Sequence, residues 1–294
     1  MTCPKPNFFI VGAPKCATTS LYHCLKQHPS IYFSPMKEPN YFARSAGSGI
    51  AVDSLDQYMA LFKDARQEPI LAEASTGYFS FPGIANLLKD FNPNAKILIS
   101  LRHPADRAFS HYASRREYGK TDLDFDYYID NGLLTTVGAN TFDISFYYER
   151  TKEYLSLFGP EKVKIIFHED IKKDLAMVLR DICRFLGVND QFAFKVVRAN
   201  VTAPPARSRL AWASRFLANS SPTKTRLKKI VPSNLRSQLR KLVTSLYDRS
   251  KQRGDPAGKL IMSEEQRRRL INVYREDIIK LAELLEVDLS RWLK

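Results

Sequence analysis

Short apolar runs alternate with amphipathic stretches along the first two-thirds of this 294-residue chain. Phe8, Phe9, Ile10 and Val11 form an unbroken apolar run, followed by the turn residues Gly12, Ala13 and Pro14. This pattern predicts a buried strand. Thr18–Gln27 then predicts a helix, with Leu21, Cys24 and Leu25 on one side. Ile70–Glu73, Lys96–Leu101 and Lys162–Phe167 predict further strands. A helix follows the second of these, opening near Pro104, a residue suited to the first helical position, and stopping at Gly119. Asp143–Phe158 predicts a helix closing at Gly159, and Asp174–Leu186 another closing at Gly187. Continuous apolar strands separated by helices indicate a mainly parallel sheet covered on both faces.

The pattern changes after Phe194. Asn200–Arg209 reads as a loop around Pro204 and Pro205, and everything beyond reads as helical. Pro232 and Ser233 open a helix with Leu235, Leu239, Leu242, Val243 and Leu246 on one face and Arg or Lys on the other. Ser263, Glu264, Glu265 and Gln266 resemble a capping box that opens the last helix. The expected organisation is a core over residues 1–210 and a basic helical C-terminal subdomain, 211–294, packed on it.

Charge sharpens this division. The net charge is +14. Residues 207–253 hold thirteen Lys/Arg against one acid, Asp248, so nearly all of the excess sits there. Three uses compete with a plain solvated helix face: docking of an anionic acceptor, contact with anionic lipid headgroups, and nonspecific nucleic-acid binding. Aromatics are few in the segment (Trp212, Phe216, Tyr247), which disfavours a base-stacking platform. No run of 18 or more apolar residues suggests a membrane span. The start lacks an apolar signal core, and four cysteines show no metal-ligand spacing. A cytoplasmic protein with free thiols is expected, either free or peripheral at the inner membrane surface.

The richest chemistry lies between the first strand and helix. Gly12-Ala13-Pro14-Lys15-Cys16-Ala17-Thr18-Thr19-Ser20 would expose backbone N–H groups at a helix N-terminus, a ready anion site. Lys15 adds a cation, and Thr18, Thr19 and Ser20 add hydroxyls. The segment lacks the second glycine of a standard P-loop, so an ordinary strand–turn–helix with a Thr cap stands beside this reading. Arg102 follows a strand and precedes a helix. Its guanidinium can grip a phosphate at two points, and Ser110, eight residues on, can donate to the same group.

Together these stretches resemble the sulfotransferase family. Residues 8–20 look like its 5′-phosphosulfate loop, and Arg102 with Ser110 looks like its 3′-phosphate motif. Lys37-Glu38-Pro39-Asn40-Tyr41-Phe42 resembles a K-E-P-H-F-F segment of the heparan-type branch, and Glu73-Ala74-Ser75-Thr76-Gly77-Tyr78-Phe79 its E-K-S/T-P-x-Y-F segment. Asn40 stands where the branch often has His, and Ala74 where glycosaminoglycan-modifying members carry Lys. Cys16 and Ala17 replace a small pair, often glycine.

The resemblance implies a P-loop NTPase-like α/β fold with a C-terminal helical appendage. It also implies the donor 3′-phosphoadenosine 5′-phosphosulfate (PAPS), with no metal. Residues 15–20 would hold the 5′ end of the donor, Arg102 and Ser110 the 3′-phosphate, and Arg207 would close over the nucleotide. Lys15 would stabilise the leaving phosphate. Glu38 would be the base, with Tyr41 and Phe42 as a dry wall around it. Pairing of Glu38 with Lys37 is the alternative, and His111 is a rival base. The acceptor would be a glycan or a lipid-linked saccharide. A nucleotide-binding adaptor or a kinase on the same fold are the competing functions.

Overall fold

The computed structural model describes residues 5–46, 52–117, 121–131, 143–197 and 260–294. Five strands form one parallel sheet: β1 (Phe8–Gly12), β2 (Ile31–Phe33), β3 (Ile70–Ala74), β4 (Lys96–Leu101) and β5 (Val163–Phe167), in the order β2-β3-β1-β4-β5. Side chains alternate across the pleat. Phe9 and Val11 therefore enter one core, while Phe8 and Ile10 enter the other. Both sets are apolar because helices cover both faces.

On one face lie α1 (Thr18–Leu25), α8 (His168–Lys173) and α9 (Leu175–Leu186). On the other lie α2 (Leu55–Ala60), α3 (Gly77–Ser80), α4 (Ile84–Phe91), α5 (Pro104–Glu117), α6 (Phe125–Asp130), α7 (Tyr148–Phe158) and α10 (Glu264–Leu285). The four expected strands and the helices after β1, β4 and β5 are present within a residue or two of their predicted bounds. Helix α9 closes on Gly187 in the left-handed region, as its sequence predicts. Gly119 and the helix expected from Pro232 lie outside the described residues, as does the boundary near 210.

One helix expectation is corrected. Asp143–Phe158 is not continuous: Asp143–Ser145 is a single 3₁₀ turn and α7 starts at Tyr148. The cause lies 130 residues away. The carboxylate of Asp277, on α10, accepts the backbone N–H groups of Tyr147 (2.7 Å) and Tyr148 (3.1 Å). Those amides cap a new helix instead of continuing an old one.

Helix α10 opens with the predicted capping box: Ser263 Oγ accepts from Gln266 N, and the Gln266 side chain accepts from Ser263 N. Its apolar stripe, Leu270, Tyr274, Ile278 and Leu281, is buried against α5 and α7. After it, Trp292 is buried against the rings of His103, Tyr147 and Phe167.

A phosphate-binding edge at the switch point of the sheet

Strands β1 and β4 are neighbours, but the helices that follow them pack on opposite faces. The carboxyl ends of two such strands open a crevice, the place where doubly wound folds bind ligands. The loop after β1 and the turn after β4 both enter this crevice.

Close packing shapes the first of them. A Cβ on Gly12 would lie 2.3 Å from Cβ of the buried Phe79, so only glycine fits. Ala13 N then donates to Ser100 O at 2.7 Å, and Ser100 Oγ donates to Cys16 O at 2.6 Å. The loop is thereby tied to β4. Lys15 (φ 72°) and Ala17 (φ 63°) both adopt left-handed backbone, which turns successive N–H groups to one side. Each such residue costs about 1–2 kcal/mol, so the surrounding contacts must hold the loop in shape. Ala17 caps α1 with no side-chain hydrogen bond, and the first turn has no acid. A helix start that carries no acid, with the positive end of the helix dipole, favours an anion.

Of the three hydroxyl residues, Thr18 and Ser20 are buried and Thr19 is half-buried. Cys16 contributes backbone. Its thiol is fully buried, which pushes its pKa up to about 12.

Arg102 stands in the turn after β4. Its Nη1 donates to Lys15 O at 3.4 Å, which links the two predicted phosphate ligands directly. Its own carbonyl accepts from Tyr147 Oη at 2.8 Å. Its buried Nε has no partner among the described residues. The pKa of Lys15 is lowered, first by burial and then by the neighbouring charges of Arg102 and Arg107, with Glu117 opposing. Like charges gathered around Lys15 favour an incoming anion. An orphaned guanidinium N–H, a helix start free of acidic residues and two close cations suit a nucleotide phosphate.

Ser110 is half-exposed on α5, about 9 Å along the axis from Pro104 at the usual helical rise. His111, half-buried, lies about 100° round the same helix. Arg207 lies outside the described residues.

His103 is a structural residue, as its helix-start position suggests. Its Nδ1 accepts from Ala105 N at 3.2 Å and so caps α5. Burial lowers its pKa to about 4, so it is neutral at physiological pH. His168, after β5, is likewise held down to about 4 by burial and by Arg102.

Glu38 sits on the same edge, one strand over. Its N–H donates to Ala74 O at 2.9 Å, and its carboxylate pairs with Lys37 at 2.6 Å. Thr76 Oγ1 donates to the same carboxylate at 3.0 Å. The expected dry wall is corrected. The Glu38 side chain is 34% exposed. Phe42 instead packs in the core against Phe9, Tyr58 and Tyr78, and Tyr41 stacks on Tyr58. The alternative pairing of Glu38 with Lys37 is present.

Sequence reasoning missed the residues that hold these groups: Thr76, Ser100, Tyr147 and Glu73. Two left a signal. Ser100 and Glu73 are polar residues inside otherwise apolar strands, and both are fully buried.

A parallel α/β sheet with a glycine-anchored loop and a basic turn at its switch point defines a phosphate-binding, nucleotide-type protein. A family model described as "Sulfotransferase domain" matches residues 5–204, and the chain belongs to that family. Over 206 residues it is 28% identical to the bifunctional heparan sulfate N-deacetylase/N-sulfotransferase 4 of Mus musculus, covering 66% of this chain and 24% of that protein. Over 245 residues it is 24% identical to carbohydrate sulfotransferase 15 of Homo sapiens, covering 62% and 44%. The chain thus spans less than half the length of these two relatives. A solved sulfotransferase structure from Alicyclobacillus acidocaldarius covers 99% of this chain and 100% of its own, at 28% identity and a TM-score of 0.71.

Proposed function

We propose that this chain transfers a sulfuryl group from PAPS to a hydroxyl or amine of a glycan acceptor. The observation that carries this reading is the meeting of the α1 N-terminus, Lys15 and Arg102 at the switch point. Residues 15–20 hold the 5′-phosphosulfate, and Arg102 with Ser110 holds the 3′-phosphate. Arg207, outside the described residues, is the further candidate for contact with the nucleotide.

The chemistry is an in-line displacement that depends mainly on positioning and electrostatics. The acceptor oxygen or nitrogen attacks sulfur, and the bond from sulfur to the 5′-phosphate oxygen breaks. The electron pair stays on that oxygen, where Lys15 and the α1 amides stabilise the new charge. The acceptor proton goes to Glu38, which lies at the edge of the site and is partly open to solvent. The products are the sulfated acceptor and adenosine 3′,5′-bisphosphate.

Glycan acceptors are supported by the names of the relatives, which concern heparan sulfate and carbohydrate. The thirteen Lys/Arg of residues 207–253 suit an anionic saccharide better than a neutral one.

The test is transfer of label from sulfur-labelled donor to a panel of neutral and anionic oligosaccharides. Lys15→Ala should lower kcat by roughly 100- to 1,000-fold, the usual loss for one preorganised donor. Glu38→Gln should lower it by about 100-fold or more. Undiminished transfer in both variants would remove Lys15 and Glu38 from the chemistry, and no transfer by the wild type to any acceptor would move the weight to a nucleotide-binding adaptor.

A further inference from the structure

Strands β4 and β5 run parallel, with Leu101 beside Phe167. The residues two places beyond each, His103 and Glu169, therefore leave the sheet side by side. Their contact is direct: the backbone N–H of His103 donates to Glu169 Oε1 at 3.2 Å. Glu169 stands half-buried in the first turn of α8. Its Oε2 is buried and has no hydrogen-bond partner among the described residues. The bond to the His103 amide is thus the one that engages this carboxylate.

A carboxylate at this place calls for a reason. Arg102, one residue before His103, is the proposed ligand of the 3′-phosphate, and a negative charge close to a phosphate site opposes binding. An acid in the first turn of α8 gains from that helix's dipole, but Asp170 in the same turn already supplies one. What Glu169 adds is its hold on the His103 amide.

That amide belongs to the peptide group that joins Arg102 to His103. The carbonyl of the same group is Arg102 O, which accepts from Tyr147 Oη at 2.8 Å. One planar unit is therefore gripped at both ends, by Glu169 from α8 and by Tyr147 from the start of α7. A peptide plane so held cannot rotate, which fixes ψ of Arg102 and the direction in which its side chain leaves the turn. Neighbouring backbone lends little help: Pro104 has no N–H, and Ala105 N donates to His103 Nδ1 at 3.2 Å. Direction matters for a guanidinium, because its two-point grip on a phosphate depends on the orientation of its plane.

We propose that Glu169 is a positioning residue: with Tyr147 it clamps the Arg102–His103 peptide and so aims the Arg102 guanidinium at the 3′-phosphate of the donor. This rests on the reading of Arg102 as the 3′-phosphate ligand.

The test is calorimetry of the full-length protein with adenosine 3′,5′-bisphosphate and with adenosine 5′-monophosphate, which lacks the 3′-phosphate. The wild type should favour the bisphosphate. Glu169→Ala should bind the bisphosphate about 10-fold more weakly, the worth of one hydrogen bond at the turn. Its affinity for the monophosphate should be unchanged, which also shows that the variant folds. Glu169→Gln, whose amide oxygen accepts the same N–H, should keep the bisphosphate affinity. In an Arg102→Ala background, Glu169→Ala should cause no further loss. If the carboxylate acts by its charge alone, both Glu169 variants bind the bisphosphate more tightly, and a tighter Glu169→Ala complex would overturn the proposal. A loss shared equally by the two nucleotides, or a Glu169→Gln variant as weak as Glu169→Ala, would overturn it too. Equal binding of both nucleotides by the wild type would remove the reading of Arg102 and this inference with it. Full discrimination by the wild type and by Glu169→Ala alike would remove this inference alone.

Discussion

Lys15 is the residue on which burial and charge act most directly at the donor site. Burial, Arg102 and Arg107 all disfavour its ammonium, while Glu117 and, more weakly, Cys16 favour it. Its pKa is therefore lowered in the free protein. A bound phosphate reverses the balance, because an opposite charge a few ångströms away favours the charged form. The sign follows: between the free and the bound values, in the alkaline range, binding takes up a proton. Calorimetry of adenosine 3′,5′-bisphosphate at alkaline pH, in buffers of different ionisation enthalpy, should report net uptake in the wild type and none in Lys15→Met. Net release would contradict the placement of Lys15 against the phosphate.

At the scale of elements, the C-terminal helix supports the donor site without touching it by sequence. Trp292 packs on His103, which caps α5, and on Tyr147, which bonds the Arg102 carbonyl. Trp292→Ala removes a fully buried ring and should destabilise the fold by about 3–5 kcal/mol. The basic turn after β4 should loosen with it. Thermal unfolding should show the loss, and bisphosphate affinity should fall as well. An unchanged affinity would mean that the turn is held by β4 and α5 alone.

The same element marks where sequence reading stopped. Strands β1, β3, β4 and β5 were legible because doubly covered strands are continuous apolar runs. Strand β2, only three residues long, gave no run to recognise. The break before α7 was invisible because Asp277, which caps it, lies far along the chain. The candidate phosphate contacts could be named from the sequence because loop and turn chemistry is local. Their supports were not: Ser100 meets Cys16 and Thr76 meets Glu38 only through the pairing of distant strands.

Across the whole molecule, function follows from topology plus a small set of charges. Parallel order places the ends of β1, β3 and β4 side by side, so the loop after β1, the basic turn and the Glu38 segment share one edge. The net charge of +14 does not select the donor, since its excess lies in residues 207–253. On the proposed reading donor selection falls to Arg102 and Ser110, which would recognise a 3′-phosphate that ATP lacks. The most direct test is calorimetry of adenosine 3′,5′-bisphosphate and of ATP on the wild type and on Arg102→Ala. The bisphosphate should bind much more tightly than ATP, and Arg102→Ala should weaken it by about 10- to 100-fold, the worth of charge-assisted hydrogen bonds to one phosphate. Equal binding of the two nucleotides, or no binding of either, would contradict the sulfuryl-transfer account.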